Sequence, residues 1–262
     1  MTTTQEMVTV QVGPISTSVQ KAGSGDPLVY LHGAFGYKGW PSFLDTLAEQ
    51  YTVYAPLHPG FLDAEGINEI DDLLGLVLYH QDLLDALGLD KPNIVGQYSG
   101  AMVAAEMSAI CTHTTGKLVL AAPAGLWLDD NPGVDYNTTP HIESRSILFA
   151  EPDSEIARSV LPDTDSDEEL GLQIIERVQS LSAVAKFLWP IPEKGLRRRA
   201  GRIRNETLIV VGDNDKIVPS AHGDVLASEI ANSSVHVMKD AGHLFILEQP
   251  EEFARVVSDF LG

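Results

Sequence analysis

The stretch Gly96-Gln97-Tyr98-Ser99-Gly100 separates two segments with different patterns of apolar residues. Residues 93–95 before it form a short apolar run that is typical of a strand, and residues 99–110 after it have the spacing of a helix. Small side chains form one stripe of that helix, which favours close packing on a sheet. The sequence therefore predicts a strand, a sharp turn and a helix in direct succession.

The glycine spacing indicates which residue occupies the tip of this turn. With Tyr98 at the centre, Gly96 and Gly100 stand two residues before and two residues after it. Glycine permits the close backbone approach that such a turn requires. With Ser99 at the centre, the bulkier Gln97 would take the position of the first glycine. Steric fit favours Tyr98 at the tip.

Strand-like and helix-like patterns alternate along most of the chain. This alternation predicts an α/β fold with a mostly parallel central sheet flanked by helices, and the first two strands alternate as a hairpin would. The predicted strands are 7–12, 15–20, 28–31, 51–55, 93–95, 117–122, 207–211 and 235–238. The predicted helices are 40–48, 70–87, 99–110 and a terminal helix around 253–260.

The alternation stops in the middle of the chain, between residues 126 and 203, and the stretch 127–176 carries most of the acidic excess. We interpret this segment as a helical cap inserted into a core made of residues 1–125 and 204–262. Leu170, Ile174, Val178, Leu181 and Leu188 fall on one helical face within it. The arginines between positions 197 and 204 indicate either a solvated face paired with nearby acids or a surface that steers an anionic substrate.

Composition narrows the class of protein. The 262 residues include 17 Lys and Arg against 37 Asp and Glu, a formal net charge of −20, which disfavours binding to nucleic acid or to anionic lipid surfaces. Cys111 is the single cysteine, so neither an intrachain disulfide nor a cysteine-ligated zinc site can form. The first residues lack the pattern of a secretion signal, and no apolar run has the length of a membrane span. We expect a cytoplasmic protein that does not enter membranes.

Four short motifs occur in a characteristic order along the chain. They are His32-Gly33, Gly96-Gln97-Tyr98-Ser99-Gly100, Gly212-Asp213-Asn214-Asp215 with Val218-Pro219, and Gly242-His243 with Glu248-Gln249-Pro250. In this order the chain resembles the α/β-hydrolase family over nearly its whole length. The resemblance implies the α/β-hydrolase fold, with the turn at residues 96–100 as the nucleophile elbow.

The resemblance also implies roles for individual residues. Asp215 and His243 correspond to the acid and base of the family's catalytic triad, with Asp213 as the competing carboxylate. The backbone N–H groups of Ala34 and Ser99 would form the oxyanion hole. His32 either belongs to that arrangement or is an ordinary loop residue with a structural hydrogen bond.

The chain departs from the family's pattern at the elbow, where Tyr98 replaces the usual serine. A phenol with a pKa of about 10 is a poor nucleophile at neutral pH, and its oxygen lies farther from the backbone than a seryl oxygen. Three roles for Tyr98 therefore remain open: a plug in the pocket, a donor of a hydrogen bond or proton, and a nucleophile. Ser99 stays an alternative nucleophile if the turn has the other register.

Cofactor motifs are missing from the sequence. No G-x-G-x-x-G opens a helix after a strand, no Walker A sequence occurs, and the histidines show no H-E-x-x-H spacing. We expect no cofactor and no metal, and the spacing assigns no role to His58.

Together these features predict a hydrolase-like enzyme in which a His–Asp dyad and an oxyanion hole act on a small, partly apolar carbonyl compound. An ester, a lactone or a carbon–carbon bond would be hydrolysed. The same pocket could instead serve a lyase, isomerase, decarboxylase or cyclase, because those reactions need a base but no covalent serine. A third possibility is a ligand-binding homologue without turnover. The expected partner is a small-molecule substrate, and assembly into a homo-oligomer is possible.

Overall fold

A computed structural model describes residues 4–35 and 39–262. Within these ranges eight strands form one sheet. The strands are β1 (Glu6–Val12), β2 (Ile15–Gly23), β3 (Asp26–Leu31), β4 (Tyr51–Pro56), β5 (Asn93–Gln97), β6 (Leu118–Ala121), β7 (Thr207–Gly212) and β8 (Ser233–Met238). All eight predicted strands are found, with small shifts at their ends.

The strands are arranged in the order β1-β2-β4-β3-β5-β6-β7-β8. β1 and β2 form the predicted antiparallel hairpin, and β2 pairs antiparallel with β4. Every pairing from β4 through β8 is parallel. The carboxyl ends of β3 to β8 therefore share one edge of the sheet, where ligands bind in open α/β folds.

Helices cover the sheet and fill the segment between β6 and β7. They are α1 (Phe43–Leu47), α2 (Leu73–Ala86), α3 (Ser99–Ile110), α4 (Ser144–Leu148), α5 (Glu155–Val160), α6 (Asp167–Leu188), α7 (Leu196–Ala200), α8 (Ala221–Glu229), α9 (Phe245–Glu248) and α10 (Pro250–Leu261). The central strands β5, β6 and β7 are buried along nearly their whole length, as expected for parallel strands covered on both faces. The predicted helix at 70–87 begins later, at Leu73, because Asp72 caps it by accepting a hydrogen bond from the N–H of Gly75.

The predicted sharp turn between β5 and α3 has a strained backbone at its tip. Tyr98 adopts φ 48° and ψ −106°, a backbone conformation that residues other than glycine rarely adopt. Gly100 packs so closely on β3 that a Cβ atom there would lie 2.1 Å from the backbone oxygen of Leu31. Gly96 faces the first turn of α3 in the same way, with a hypothetical Cβ 2.6 Å from the backbone of Ala101. The two glycines therefore allow the turn to form with Tyr98 at its tip.

The segment predicted as a cap contains α4 to α7 and lies at the carboxyl edge of the sheet. Its longest helix, α6, is buried only at its carboxyl half, where Leu181 and Leu188 join the core. Leu170, Ile174 and Val178, on the amino-terminal part of the same helix, are exposed to solvent.

The arginines near the end of this segment make ion pairs and backbone contacts. Arg199 donates two hydrogen bonds, of 2.7 and 2.6 Å, to the carboxylate of the fully buried Glu106. Arg197 pairs with Glu229, and Arg202 donates to a backbone carbonyl. These contacts favour the interpretation of the basic run as a paired face.

Among the helices that the structure describes, none is long and apolar enough to cross a membrane.

The close approach of α3 to β3 generates a stability prediction. We expect Gly100→Ala to lower the free energy of unfolding by about 3 kcal/mol, because its Cβ would collide with backbone atoms that cannot move aside. Gly171→Ala is the matched control, since Gly171 lies within α6 and a Cβ there meets nothing within 4 Å. That control should gain up to about 1 kcal/mol. Urea denaturation measures both changes, and equal stabilities of the two variants would contradict the packing described here.

Candidate active site

The carboxyl edge of the sheet brings Tyr98, Asp215 and His243 together. Tyr98 follows β5, Asp215 lies in the loop after β7, and His243 lies in the loop after β8. Oδ2 of Asp215 is 2.9 Å from Nδ1 of His243, and both side chains are fully buried. The other carboxylate oxygen of Asp215 accepts hydrogen bonds from the N–H groups of Ile217 and Val218, at 2.8 and 2.9 Å.

This geometry distinguishes the two candidate carboxylates. Asp215 is fixed by three hydrogen bonds with one oxygen directed at the imidazole, as an acid that orients a catalytic histidine must be. Asp213 instead lies near Lys239 and accepts a hydrogen bond from the N–H of Ala241. Asp215 is therefore the partner of His243.

Glu248 holds the loop that carries His243. Its carboxylate accepts hydrogen bonds of 2.7 Å from the N–H of Gly242 and from the N–H of Ala150, which belongs to the segment between β6 and β7. Burial raises the pKa of Glu248, an effect that these two hydrogen bonds oppose. One side chain thus ties the loop of the histidine to the inserted segment.

Aromatic rings surround the imidazole of His243. The ring of Tyr98 lies 5.0 Å from it and the ring of Phe35 lies 5.3 Å from it, both nearly edge to face. Nε2 of His243 is buried and has no hydrogen-bond partner among the residues that the structure describes. Neither the hydroxyl of Tyr98 nor that of Ser99 is hydrogen-bonded to this nitrogen. The imidazole is fully buried with the rings of Tyr98 and Phe35 against it, so a reactant reaches Nε2 only after a neighbouring group moves aside.

Tyr98 is surrounded by groups that keep its phenol protonated. Burial raises the pKa of Tyr98 well above its ordinary value, and the carboxylates of Asp215 and Asp135 raise it further. A protonated phenol donates a hydrogen bond but does not attack a carbonyl carbon. Ser99 lies on the other side of the turn, where it lines a small apolar cavity with His58 and Met102.

The loop after β3 lies beside the elbow. Gly33 packs on Gln97 so tightly that a Cβ would lie 2.9 Å from the side-chain oxygen and 3.2 Å from the backbone oxygen of that residue. Ala34 follows Gly33, and Ser99 is the first residue of α3, so its N–H has no acceptor within the helix. Of the two residues that the family resemblance assigns to an oxyanion hole, Ala34 thus lies in the loop after β3 and Ser99 at the start of α3, beside that loop.

Three histidines beneath this loop form a hydrogen-bonded chain that sequence spacing did not indicate. His58, to which the spacing assigned no role, contacts both His32 and His80 through its ring nitrogens. All three rings are buried, and burial lowers the pKa of each, to about 4 for His58. The histidines come from separate elements of the chain, so only the folded structure brings them together.

A cavity of about 300 Å³ opens beside Ala34 and is lined by Phe35, Tyr136 and Arg177 among others. Arg177, on α6, donates hydrogen bonds to the backbone oxygens of Tyr136 and Thr139 and stacks 4.6 Å above the ring of Tyr136. Its Nε is buried without a hydrogen-bond partner among the described residues. Sequence analysis missed Arg177 and Phe35. Nothing in the spacing of the inserted segment marks Arg177, and nothing in the loop after β3 marks Phe35.

The described residues contain no group of three or more His, Cys, Asp or Glu side chains arranged to hold a metal ion. The groups that the structure brings together at this site are a buried imidazole with its carboxylate, a protonated phenol and backbone amides. Such groups move protons and stabilise negative charge.

Comparison with known proteins shows to which class this fold and site belong. Residues 28–256 match the model of the alpha/beta hydrolase family, and the chain belongs to that family. The predictions of an α/β-hydrolase fold and of a hydrolase-like enzyme are confirmed at this level.

Named relatives place the chain near one group of hydrolases. It is 28% identical to a 2-hydroxy-6-oxo-6-phenylhexa-2,4-dienoate hydrolase of Burkholderia cepacia, over 99% of this chain and 96% of that protein. It is 31% identical to a 2-hydroxy-6-oxononadienedioate/2-hydroxy-6-oxononatrienedioate hydrolase of Pseudomonas putida, covering 90% of this chain and 87% of that protein. In fold it is similar to a meta-cleavage product hydrolase of Pseudomonas fluorescens, with a TM-score of 0.77, 23% identity and 97% of each chain covered.

The surroundings of Tyr98 predict its titration. Because burial and the two carboxylates raise its pKa, the phenol should stay protonated at pH of about 10, where an ordinary tyrosine is half ionised. Tyrosinate absorbance of the folded wild type and of Tyr98→Phe should therefore coincide up to that pH. In the urea-unfolded chains the variant should show one titrating tyrosine fewer. If the folded variant showed one tyrosinate fewer than the folded wild type below that pH, the result would contradict a raised pKa for Tyr98.

Proposed function

We propose that this protein hydrolyses a carbon–carbon bond next to a ketone in a small, carboxylate-bearing oxo-dienoate. The observation that carries the proposal is the buried hydrogen bond between Asp215 and His243, whose imidazole lies beside Tyr98 at the tip of the elbow turn. The names of the relatives supply the substrate class, since they are hydrolases of 2-hydroxy-6-oxo dienoates. The reaction needs proton transfers and stabilisation of an oxyanion, which are the chemistry that this site offers.

The bond changes can be written for the conjugated chain of such a substrate. The proton of the C2 hydroxyl first moves to C5, so that C5 becomes a saturated carbon between two unsaturated groups. Water then adds to the C6 carbonyl while His243 takes its proton. Collapse of the resulting gem-diolate breaks the C5–C6 bond and leaves a carboxylic acid and a 2-hydroxydienoate. The electrons of the broken bond enter the dienoate, which regains its proton.

In this proposal His243 is the general base, and Asp215 fixes its tautomer and stabilises the imidazolium. The N–H groups of Ala34 and Ser99 bind the oxyanion that forms at C6. Tyr98 takes the place of the family's serine nucleophile, so no acyl-enzyme forms and water attacks directly. Its protonated phenol donates a hydrogen bond to the substrate and, with Phe35, closes the site around His243.

The inserted segment, 126–203, acts as the cap over the site in this proposal, and Arg177 supplies its anion-binding group. The guanidinium of Arg177, which is half-buried and lines the cavity beside Ala34, matches the carboxylate at the end of a dienoate. The rest of that cavity is largely apolar, as the hydrocarbon part of such a substrate requires. No cofactor or metal takes part in the proposed steps.

A second function is favoured by the burial of His243. Because Tyr98 and Phe35 shield Nε2, water has poor access to the base, whereas a substrate carbon could meet it directly after a ring shift. The same dyad would then carry out a non-hydrolytic reaction such as isomerisation or elimination. A homologue that binds ligand without turnover is the remaining outcome. The proposal keeps the expectations drawn from the sequence. The partner is a small-molecule substrate rather than nucleic acid or membrane, the location is cytoplasmic, and a homo-oligomer is possible.

The role of the dyad is tested by two carboxylate variants. We expect Asp215→Asn to lower kcat for an oxo-dienoate by about 100-fold or more, because the imidazole loses its orientation and its counter-charge. Asp213→Asn is the matched control and should leave kcat within about twofold, on the scale of surface substitutions. The measurement is the decrease in absorbance of the conjugated substrate together with chromatography of the products. Equal activity of both variants would remove the dyad from the mechanism. An isomer in place of the two cleavage products would favour the second function.

The role of Arg177 is tested with two forms of one substrate. Arg177→Gln should raise KM for the carboxylate substrate by about 30-fold, the equivalent of losing a charge-assisted hydrogen bond worth roughly 2 kcal/mol. For the methyl ester of the same compound, KM should be similar in wild type and variant. A parallel rise in KM for acid and ester would mean that Arg177 only supports the cap.

A further inference from the structure

The hydrogen-bond partners of His32, His58 and His80 determine which ring nitrogen of each carries the proton. The backbone N–H of His58 donates to Nε2 of His32 at 3.0 Å, so this nitrogen carries no proton. The proton of the neutral ring is then on Nδ1, which lies 2.8 Å from the carbonyl oxygen of Gly33. His32 therefore donates a hydrogen bond to the peptide that joins Gly33 to Ala34.

The same reasoning fixes the other two rings. Nε2 of His58 lies 3.0 Å from the carbonyl oxygen of His32, which only accepts, so this nitrogen carries the proton. Nδ1 of His58 is consequently an acceptor, and His80 donates to it from Nε2 at 2.9 Å. The direction of donation runs from His80 through His58 to the backbone of His32. Burial keeps all three rings neutral by lowering their pKa values.

The three hydrogen-bonded histidines affect the oxyanion hole through the geometry of one trans peptide. The carbonyl and the N–H of one peptide point in opposite directions in the same plane. A hydrogen bond that holds the carbonyl of Gly33 therefore also sets the direction of the N–H of Ala34. The N–H of Ala34 is one of the two donors assigned to the oxyanion hole. Such a donor is effective only when its direction is fixed before the reaction.

We propose that His32, His58 and His80 are positioning residues that orient the Ala34 N–H for oxyanion binding. His32 holds the peptide directly, His58 clamps the backbone and ring of His32, and His80 fixes the tautomer of His58. None of the three contacts substrate. The catalytic consequence rests on the proposed function, whereas the protonation pattern does not.

The first test is independent of activity. Nitrogen-15 spectra of the histidine rings of the wild-type protein at neutral pH should show protonated Nδ1 in His32 and protonated Nε2 in His58 and His80. His80→Leu should shift the ring resonances of both His58 and His32, and His236→Gln, on the edge strand β8, should shift neither. The opposite tautomer in His32, or ring resonances that do not respond to His80→Leu, would overturn the proposal.

The second test is kinetic and compares two substitutions of one residue. His32→Leu removes the donor to the Gly33 carbonyl, and we expect kcat to fall about 100-fold with KM within twofold, as for loss of an oxyanion donor. His32→Asn keeps a donor near the position of Nδ1 and should recover most of kcat. Equal kcat values for Leu, Asn and wild type, equal losses in both variants, or an effect on KM alone would overturn the positioning role. If wild type itself turns over no oxo-dienoate, the proposed function fails, and the nitrogen-15 spectra still decide on the histidine chain.

Discussion

The contact between the first turn of α3 and the backbone of β3 is the constraint on which the rest of the site depends. It is possible only because Gly100 has no side chain, and it forces Tyr98 into a backbone conformation with φ 48°. That conformation projects the Tyr98 ring toward His243 and exposes the start of α3 toward the loop after β3. The strain is compensated by contacts on both sides of the turn: the N–H of Tyr98 donates to the carbonyl oxygen of Ala121 on β6, and the carbonyl of Tyr98 accepts from the N–H of Met102 in α3. The arrangement of base, phenol and backbone amides thus follows from one steric fact.

Tyrosine at the tip changes what the site can do while preserving its frame. Asp215 and His243 keep the geometry that orients a catalytic imidazole, yet Nε2 of His243 has a ring beside it and is bonded to no hydroxyl of residues 4–35 and 39–262. A phenol whose pKa is raised by burial can hold or donate a proton but offers no alkoxide-like oxygen. In the proposed function the covalent step is therefore replaced by direct attack of water. The base takes the proton of the water, the backbone N–H donors bind the oxyanion, and Arg177 binds the substrate carboxylate. Movement of Tyr98 or Phe35 becomes part of the reaction because these rings control access to His243.

Much of the fold and part of the site could be predicted from the sequence, and the difference has physical causes. The resemblance to the family's triad indicated the pairing of Asp215 with His243, and the fold explains it, because both residues follow parallel strands whose carboxyl ends meet at one edge. The tip of the elbow could be assigned to Tyr98 because only glycine tolerates the close contacts at positions 96 and 100. Arg177 could not be found in this way, since its position depends on how the inserted segment packs rather than on a repeating pattern. His58 and His80 were missed because a hydrogen bond between side chains of separate elements leaves no periodic signal.

Direct observation of the protein's mass during turnover tests the central claim, that the dyad of His243 and Asp215 works without a covalent nucleophile. The protein would be mixed with an excess of oxo-dienoate, quenched in acid within a single turnover, and analysed by intact-protein mass spectrometry. The account predicts the unmodified mass at every time point while the carboxylic acid product accumulates. An adduct with the mass of the acyl group that forms and decays at the rate of turnover, mapped to Ser99 or Tyr98, would contradict it.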